Sequence, residues 1–118
     1  MVAANADTYA RSVAAGRSVP TSSALTFADG MAVRVPDAVA RGADRIVEVS
    51  DDEIAESIRI IFSTTHNCAE GAGAAALAAL VKERELLHGR RAAVILSGQN
   101  IDRDWMKTVF AGGTPRAH

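Results

Sequence analysis

The sequence predicts an α/β fold, a partial parallel sheet with flanking helices, on three observations. Segments of helical and strand patterning alternate in the order helix, strand, helix, helix, strand, helix, which is the pattern of a parallel sheet. The run Ala92-Ala-Val-Ile-Leu96 is apolar on both faces, as a buried parallel strand is. Hydrophobic residues make up 48% of the chain but aromatics only 4%, so the apolar mass is small and aliphatic, suited to close helix-on-sheet layers. The few strands available are fewer than a free-standing doubly wound domain carries, so the sheet reads as incomplete.

In chain order, Ala6 to Ala15 reads as a helix: Tyr9 and Val13 stand four apart and Gly16 is a stop signal. Arg17 to Thr26 is polar, contains Pro20 and reads as a loop. Phe27-Ala-Asp-Gly-Met-Ala-Val-Arg-Val35 is mostly apolar with Gly30 inside, which signals a bend or a close backbone approach. Pro36 opens a short helix through about Arg41, ended by Gly42. Arg45 to Val49 is a β-rich run and a strand candidate.

Ser50-Asp-Asp-Glu53 then forms a capping box, in which the serine accepts the Glu53 amide and the glutamate reaches back. Ile54, Ile58 and Ile61 follow at helical spacing, so a helix runs to about Thr64. The next helix spans Gly71 to Leu87, with a first half of glycine and alanine and a charged, solvated second half, Lys82-Glu-Arg-Glu85. After the Ala92–Leu96 strand, Asp102 or Asp104 starts a last helix through Trp105, Met106 and Phe110. The expected organisation is one unit over residues 1–111 and a flexible tail over 112–118.

Thirteen basic and fourteen acidic side chains leave a net charge of −1, without the basic excess that nucleic-acid partners require. Cys68 is the only cysteine, so no internal disulfide forms and a reducing, cytoplasmic setting is expected. Residues 1–13 contain no long apolar run, which argues against a signal peptide or a membrane anchor.

Three places could carry chemistry. Ser97-Gly98-Gln99-Asn100 joins the predicted last strand to the last helix, and ligands of open α/β sheets sit off the carboxyl ends of strands. The Ser97 hydroxyl would face that crevice and Gly98 would admit a ligand to the backbone; an ordinary strand-to-helix turn has the same pattern. Glu70 precedes the Gly71-Ala-Gly-Ala run at a helix start, where the dipole favours its charge whether or not it has a ligand. Ala28-Asp29-Gly30 could line a pocket or form a turn.

Other chemistries lack their parts. His66 and Cys68 have no second His/Cys pair to complete a zinc set, so no metal site is expected. His88 and His118 are isolated. Ser97 has no Gly-x-Ser-x-Gly context for a hydrolase. The two lysines, Lys82 and Lys107, lie in polar helical stretches and not in the dry pocket that activates an amine.

Four segments taken together, Thr26–Arg34, Arg45–Ile54, Ala69–Leu77 and Val94–Asp102, resemble the C-terminal part of fold-type II pyridoxal-phosphate (PLP) enzymes, the tryptophan synthase β-like fold. The resemblance is to threonine dehydratases and serine racemase/serine dehydratase-like proteins, and also to hydroxyectoine-utilisation dehydratases, and covers residues 1–105 in order. It implies that Ser97 hydrogen-bonds the pyridine nitrogen of PLP, that Gly98 and Gly30 lie against the cofactor, and that Glu70 lies nearby. A hydroxyl at that position leaves the pyridine nitrogen largely unprotonated, which suits β-elimination of water from a hydroxy amino acid such as threonine or serine. The family's usual turn is Ser-Gly-Gly-Asn, and here Gln99 stands at its second glycine.

The family's Schiff-base lysine, substrate-carboxylate loop and glycine-rich phosphate loop precede the matched region. By this resemblance the chain is a fragment without a catalytic lysine, is inactive and binds no PLP alone, and has the missing N-terminal part as partner. The apolar surface turned toward that part would drive homo-oligomers in isolation. The competing expectation is a non-enzymatic association or small-ligand binding module on the same half-fold.

Overall fold

A computed structural model describes residues 1–32 and 45–116. Its elements are β1 (Val2–Ala3), α1 (Thr8–Ala15), a 3-10 turn at Asp29–Met31, β2 (Glu48–Val49), α2 (Asp51–Thr65), α3 (Gly71–Lys82) and α4 (Arg103–Phe110). The expected short helix over 36–41 and its stop at Gly42 lie outside the described residues. The α/β class holds: β1 and β2 form a parallel pair, with Val2 opposite Glu48 and Ala3 opposite Val49. Backbone bonds Val2 N–H to Val47 O and Ala4 N–H to Val49 O, both 2.8 Å, close the ladder.

α2 is the frame of the molecule. Its capping box is complete: Glu53 N–H donates to Ser50 Oγ at 3.2 Å, and Ser50 N–H donates to Glu53 Oε2 at 2.7 Å. Ile54 and Ile58 are fully buried, and with Ile61 they form the stripe that meets α3. α3 answers with Ala74, Ala75 and Ala78, small enough for the two backbones to approach closely. Phe27, Val49, Ala69 and Val109 close the same core. No described helix is long and apolar enough to cross a membrane.

Burial raises the Glu53 carboxyl pKa, but the Ser50 amide, the Lys82 ammonium (3.2 Å) and the Ser50 hydroxyl outweigh it, and the net position lies below the ordinary carboxylate range. The folded state therefore favours ionised Glu53. Its contribution is present above the unfolded pKa and is lost as pH falls through the depressed folded value. Ser50→Ala is expected to cost about 1 kcal/mol, read from urea midpoints, with a smaller cost in acid where the box is already weakened. A cost that does not change with pH would separate the cap from the Glu53 charge.

The structure departs from the sequence-based expectations in four places. Ala92–Leu96 is not a strand. It runs as irregular chain with Val94 43% and Ile95 81% exposed, because a ladder needs a neighbouring strand and no described residue supplies one. β1, unforeseen, is two residues long and exists only through its pairing with β2. α3 stops at Lys82 instead of Leu87, and residues 83–89 form turns with Leu86 69% exposed, so that stretch has no apolar face to sustain a helix. The strand expected over Arg45–Val49 narrows to Glu48–Val49, where β1 pairs with it. Elsewhere agreement is close: α1 ends at Gly16 in the left-handed conformation, and Phe27–Met31 bends at the 3-10 turn.

Candidate functional site

The site forms where three segments meet: the turn after Phe27, the start of α3, and the chain entering α4. Thr26 Oγ1 donates to Asp51 Oδ1 and accepts from Ala28 N–H at 3.1 Å, which ties the first segment to the start of α2. Met31 N–H donates to Ala28 O at 2.8 Å and closes the 3-10 turn carrying Asp29 and Gly30. Glu70, the N-cap of α3, holds the third segment by donating its N–H to Gly98 O at 3.1 Å. Asp102 caps α4 by accepting from Asp104 N–H at 2.8 Å and Trp105 N–H at 3.3 Å.

Between these segments lies a cavity of about 370 Å³. Gly30, Glu70, Asn100 and Asp102 line it with the aromatic pair Phe27 and Trp105, whose rings meet edge to face at 5.9 Å and 88°. Among the described residues its charged lining is Asp29, Glu70 and Asp102, all acidic, with no lysine or arginine. Among the described residues no His, Cys, Asp and Glu side chains group into a metal-binding set. His66 is the left-handed C-cap of α2, and Cys68 is half-buried.

Two glycines make the meeting possible. A Cβ on Gly73 would overlap the Gly98 carbonyl oxygen and lie 3.0 Å from the Gly98 nitrogen. A Cβ on Gly98 would overlap the Glu70 carboxylate. α3 and the turn therefore interlock backbone to backbone, with Glu70 folded over the turn. At Gly30 an added Cβ would stand 3.0 Å from Ala72 Cβ, so this chain's own packing already demands a small residue there.

Of the four residues singled out in the sequence, Gly30 and Glu70 line the cavity and Gly98 backs Glu70. Ser97 is exposed and is not among the lining residues. Gln99 donates from Nε2 to Asn67 Oδ1 at 3.4 Å, linking the turn to the α2–α3 connection. Sequence reasoning missed Phe27 and Trp105 as cavity walls. The available signal was the place of Trp105 in the first turn of the helix after Ser97–Asn100, which faces the same crevice. Lys82 Nζ donates to Glu48 O at 2.8 Å and bonds Glu53, and Lys107 is exposed on α4; neither enters the cavity.

Comparison with known proteins identifies this arrangement. A family profile described as "Pyridoxal-phosphate dependent enzyme" matches residues 1–98. The L-threonine ammonia-lyase of Thermotoga maritima is 32% identical over 103 residues, covering 83% of this chain and 25% of that protein. The beta-hydroxyaspartate dehydratase of Paracoccus denitrificans is 32% identical over 103 residues, 84% of this chain and 33% of that protein. The T.th. threonine deaminase superposes with a TM-score of 0.75 at 31% identity, covering 83% of this chain and 33% of that one. The chain thus spans between a quarter and a third of the length of these relatives. It belongs to the pyridoxal-phosphate dependent enzyme family, with the fold of the fold-type II enzymes, and corresponds to the C-terminal part of its relatives.

Proposed function

We propose that this chain forms one wall of the cofactor pocket of an ammonia-lyase (dehydratase) acting on a small hydroxy amino acid, threonine or serine, and that it performs no turnover by itself. The observation that carries this reading is the interlock of Gly73, Gly98 and Glu70, which holds the Ser97 turn at the rim of the Gly30–Glu70 cavity. Relatives named for threonine and hydroxyaspartate chemistry support the reaction class. A soluble, cytoplasmic setting completes the proposal and suits the single Cys68.

PLP fits this chain along one edge only. The exposed Ser97 hydroxyl is available to bond a pyridine nitrogen, while the Glu70 carboxylate covers the neighbouring Gly98. The phosphate does not fit here: the cavity's charged lining is three carboxylates, which repel a dianion, and no cation among the described residues lines it. When bound, the cofactor withdraws electrons from the carbon that loses its proton. This chain holds the ring edge, excludes water with Phe27 and Trp105, and leaves the phosphate and the proton-abstracting amine to the remainder of the enzyme. The exposed Val94–Ile95 run is our choice for the edge that takes that remainder or, in isolation, a second copy.

With PLP and threonine or serine added, the chain is expected to give neither a cofactor absorbance shift nor 2-oxo acid, and robust turnover would overturn the reading. Mixed with the N-terminal portion of a relative, it should bind PLP, and Ser97→Ala should change the spectrum of the bound cofactor. An identical spectrum with and without the hydroxyl removes Ser97 from the pocket.

A further inference from the structure

α4 supplies one wall of the cavity through Asp102 and Trp105, yet it is only eight residues long. Isolated helices of that length are marginal in water, so its position is set by what grips it. Its N-terminal end faces the cavity. Its far end, about 12 Å away along the axis, finishes in a Schellman turn: Gly113 N–H donates to Thr108 O at 2.9 Å and Gly112 N–H to Val109 O at 3.0 Å, with Gly112 at φ +89°.

Arg59 of α2 holds this far end. Its Nη1 donates to Val109 O at 3.0 Å, in the last helical turn, and to Gly113 O at 3.3 Å, just beyond it, which puts a positive charge where the dipole is negative. The other side of the same guanidinium is occupied by Glu56, with Nε and Nη2 each 2.8 Å from Oε2, so the fork is held on its own helix before it reaches across. The Arg59 side chain is 27% exposed, shielded enough for charge-assisted bonds to count. Just beyond the turn Thr114 Oγ1 also bonds Asp52 Oδ1 of α2, and the contacts of the helix itself are apolar: Val109 in the core, Phe110 against Phe62 with ring centroids 4.7 Å apart, and Trp105 against Phe27. Apolar contacts permit sliding, whereas one nitrogen bridging two carbonyls specifies register.

Building on the cavity read above as the cofactor's side, we infer that Arg59 is the positioning residue of that cavity's α4 wall. By bridging Val109 O and Gly113 O it fixes the far end of the helix, and through the helix the placement of Asp102 and Trp105.

Trp105 is the only tryptophan, so its emission and iodide quenching report the wall directly, without cofactor. In the Arg59→Met variant of this chain, which keeps the aliphatic stem, Trp105 emission should shift to the red. Amides of residues 106–113 should exchange roughly tenfold faster, the loss of a charge-assisted hydrogen bond, while α2 amides keep their protection. Arg59→Lys keeps a charged nitrogen but loses the planar group that Glu56 orients through Nε and Nη2, and should fall between the two. If Arg59→Met does not fold, Arg59→Lys carries the test by the same two readouts. Unchanged emission and exchange in folded variants overturn the assignment, as does equal acceleration in α2 and α4, which marks general loss of stability. Lysine behaving as arginine also overturns it, because charge without the Glu56-oriented guanidinium would then suffice. Because neither readout needs PLP, this result is independent of whether the chain serves a lyase.

Discussion

Replacing Phe27 by alanine is expected to remove a large part of the chain's stability. Phe27 is 1% exposed and stands where the core, the 3-10 turn and the cavity wall meet. Phe→Ala at a buried site costs about 3–5 kcal/mol, transfer and cavity terms together. Loss of the edge-to-face contact with Trp105 lies within that figure and places the damage at the site. Against a typical total of about 5–15 kcal/mol, this is a large part of the whole. Phe62, 38% exposed on α2, is the control: Phe62→Ala should cost less than half as much. The urea midpoints of the two variants decide the matter. Comparable losses would mean that Phe27 is not the keystone its burial indicates.

Gly73→Ala should destabilise, against the usual sign for a helical glycine. In an open helix the substitution gains about 1 kcal/mol from backbone propensity. Here the new methyl would overlap the Gly98 carbonyl and press on the Gly98 nitrogen and Leu96. Those obstacles are mostly backbone and cannot rotate away, so an overpacking cost of about 1–3 kcal/mol applies and exceeds the gain. The turn would be pushed off α3, and the Glu70 N–H to Gly98 O bond should weaken first. Faster exchange of the Glu70 amide, together with a lower urea midpoint, is the expected pair. A variant as stable as the parent or more so would show that the interlock has slack.

Much of this fold is written locally. α2 is legible because its signals lie within one or two turns: Ser50 and Glu53 three apart, then Ile54, Ile58 and Ile61 on one face. Glu70 and Gly30 are legible as site candidates because an acid at a helix start and a glycine in an apolar run are local patterns. The failures have one cause. Ala92–Leu96 carries strand patterning, but a strand is a relation between two segments, and its own apolarity cannot supply the neighbour. The reverse holds for Val2–Ala3, too short to announce itself and a strand because β2 lies beside it.

The family, the α/β class and the starts of α2 and α3 could be read from the residues alone. Helical periodicity, capping and a spaced set of motifs are properties of one segment at a time. Packing across the fold makes Phe27 and Trp105 walls of the cavity, lays Glu70 over Gly98 and, among the described residues, gathers acidic charges at the cavity. These are contacts between residues up to 78 positions apart, such as Phe27 and Trp105. Such contacts arise from the packing of α2 against α3 and α4, which no local window contains.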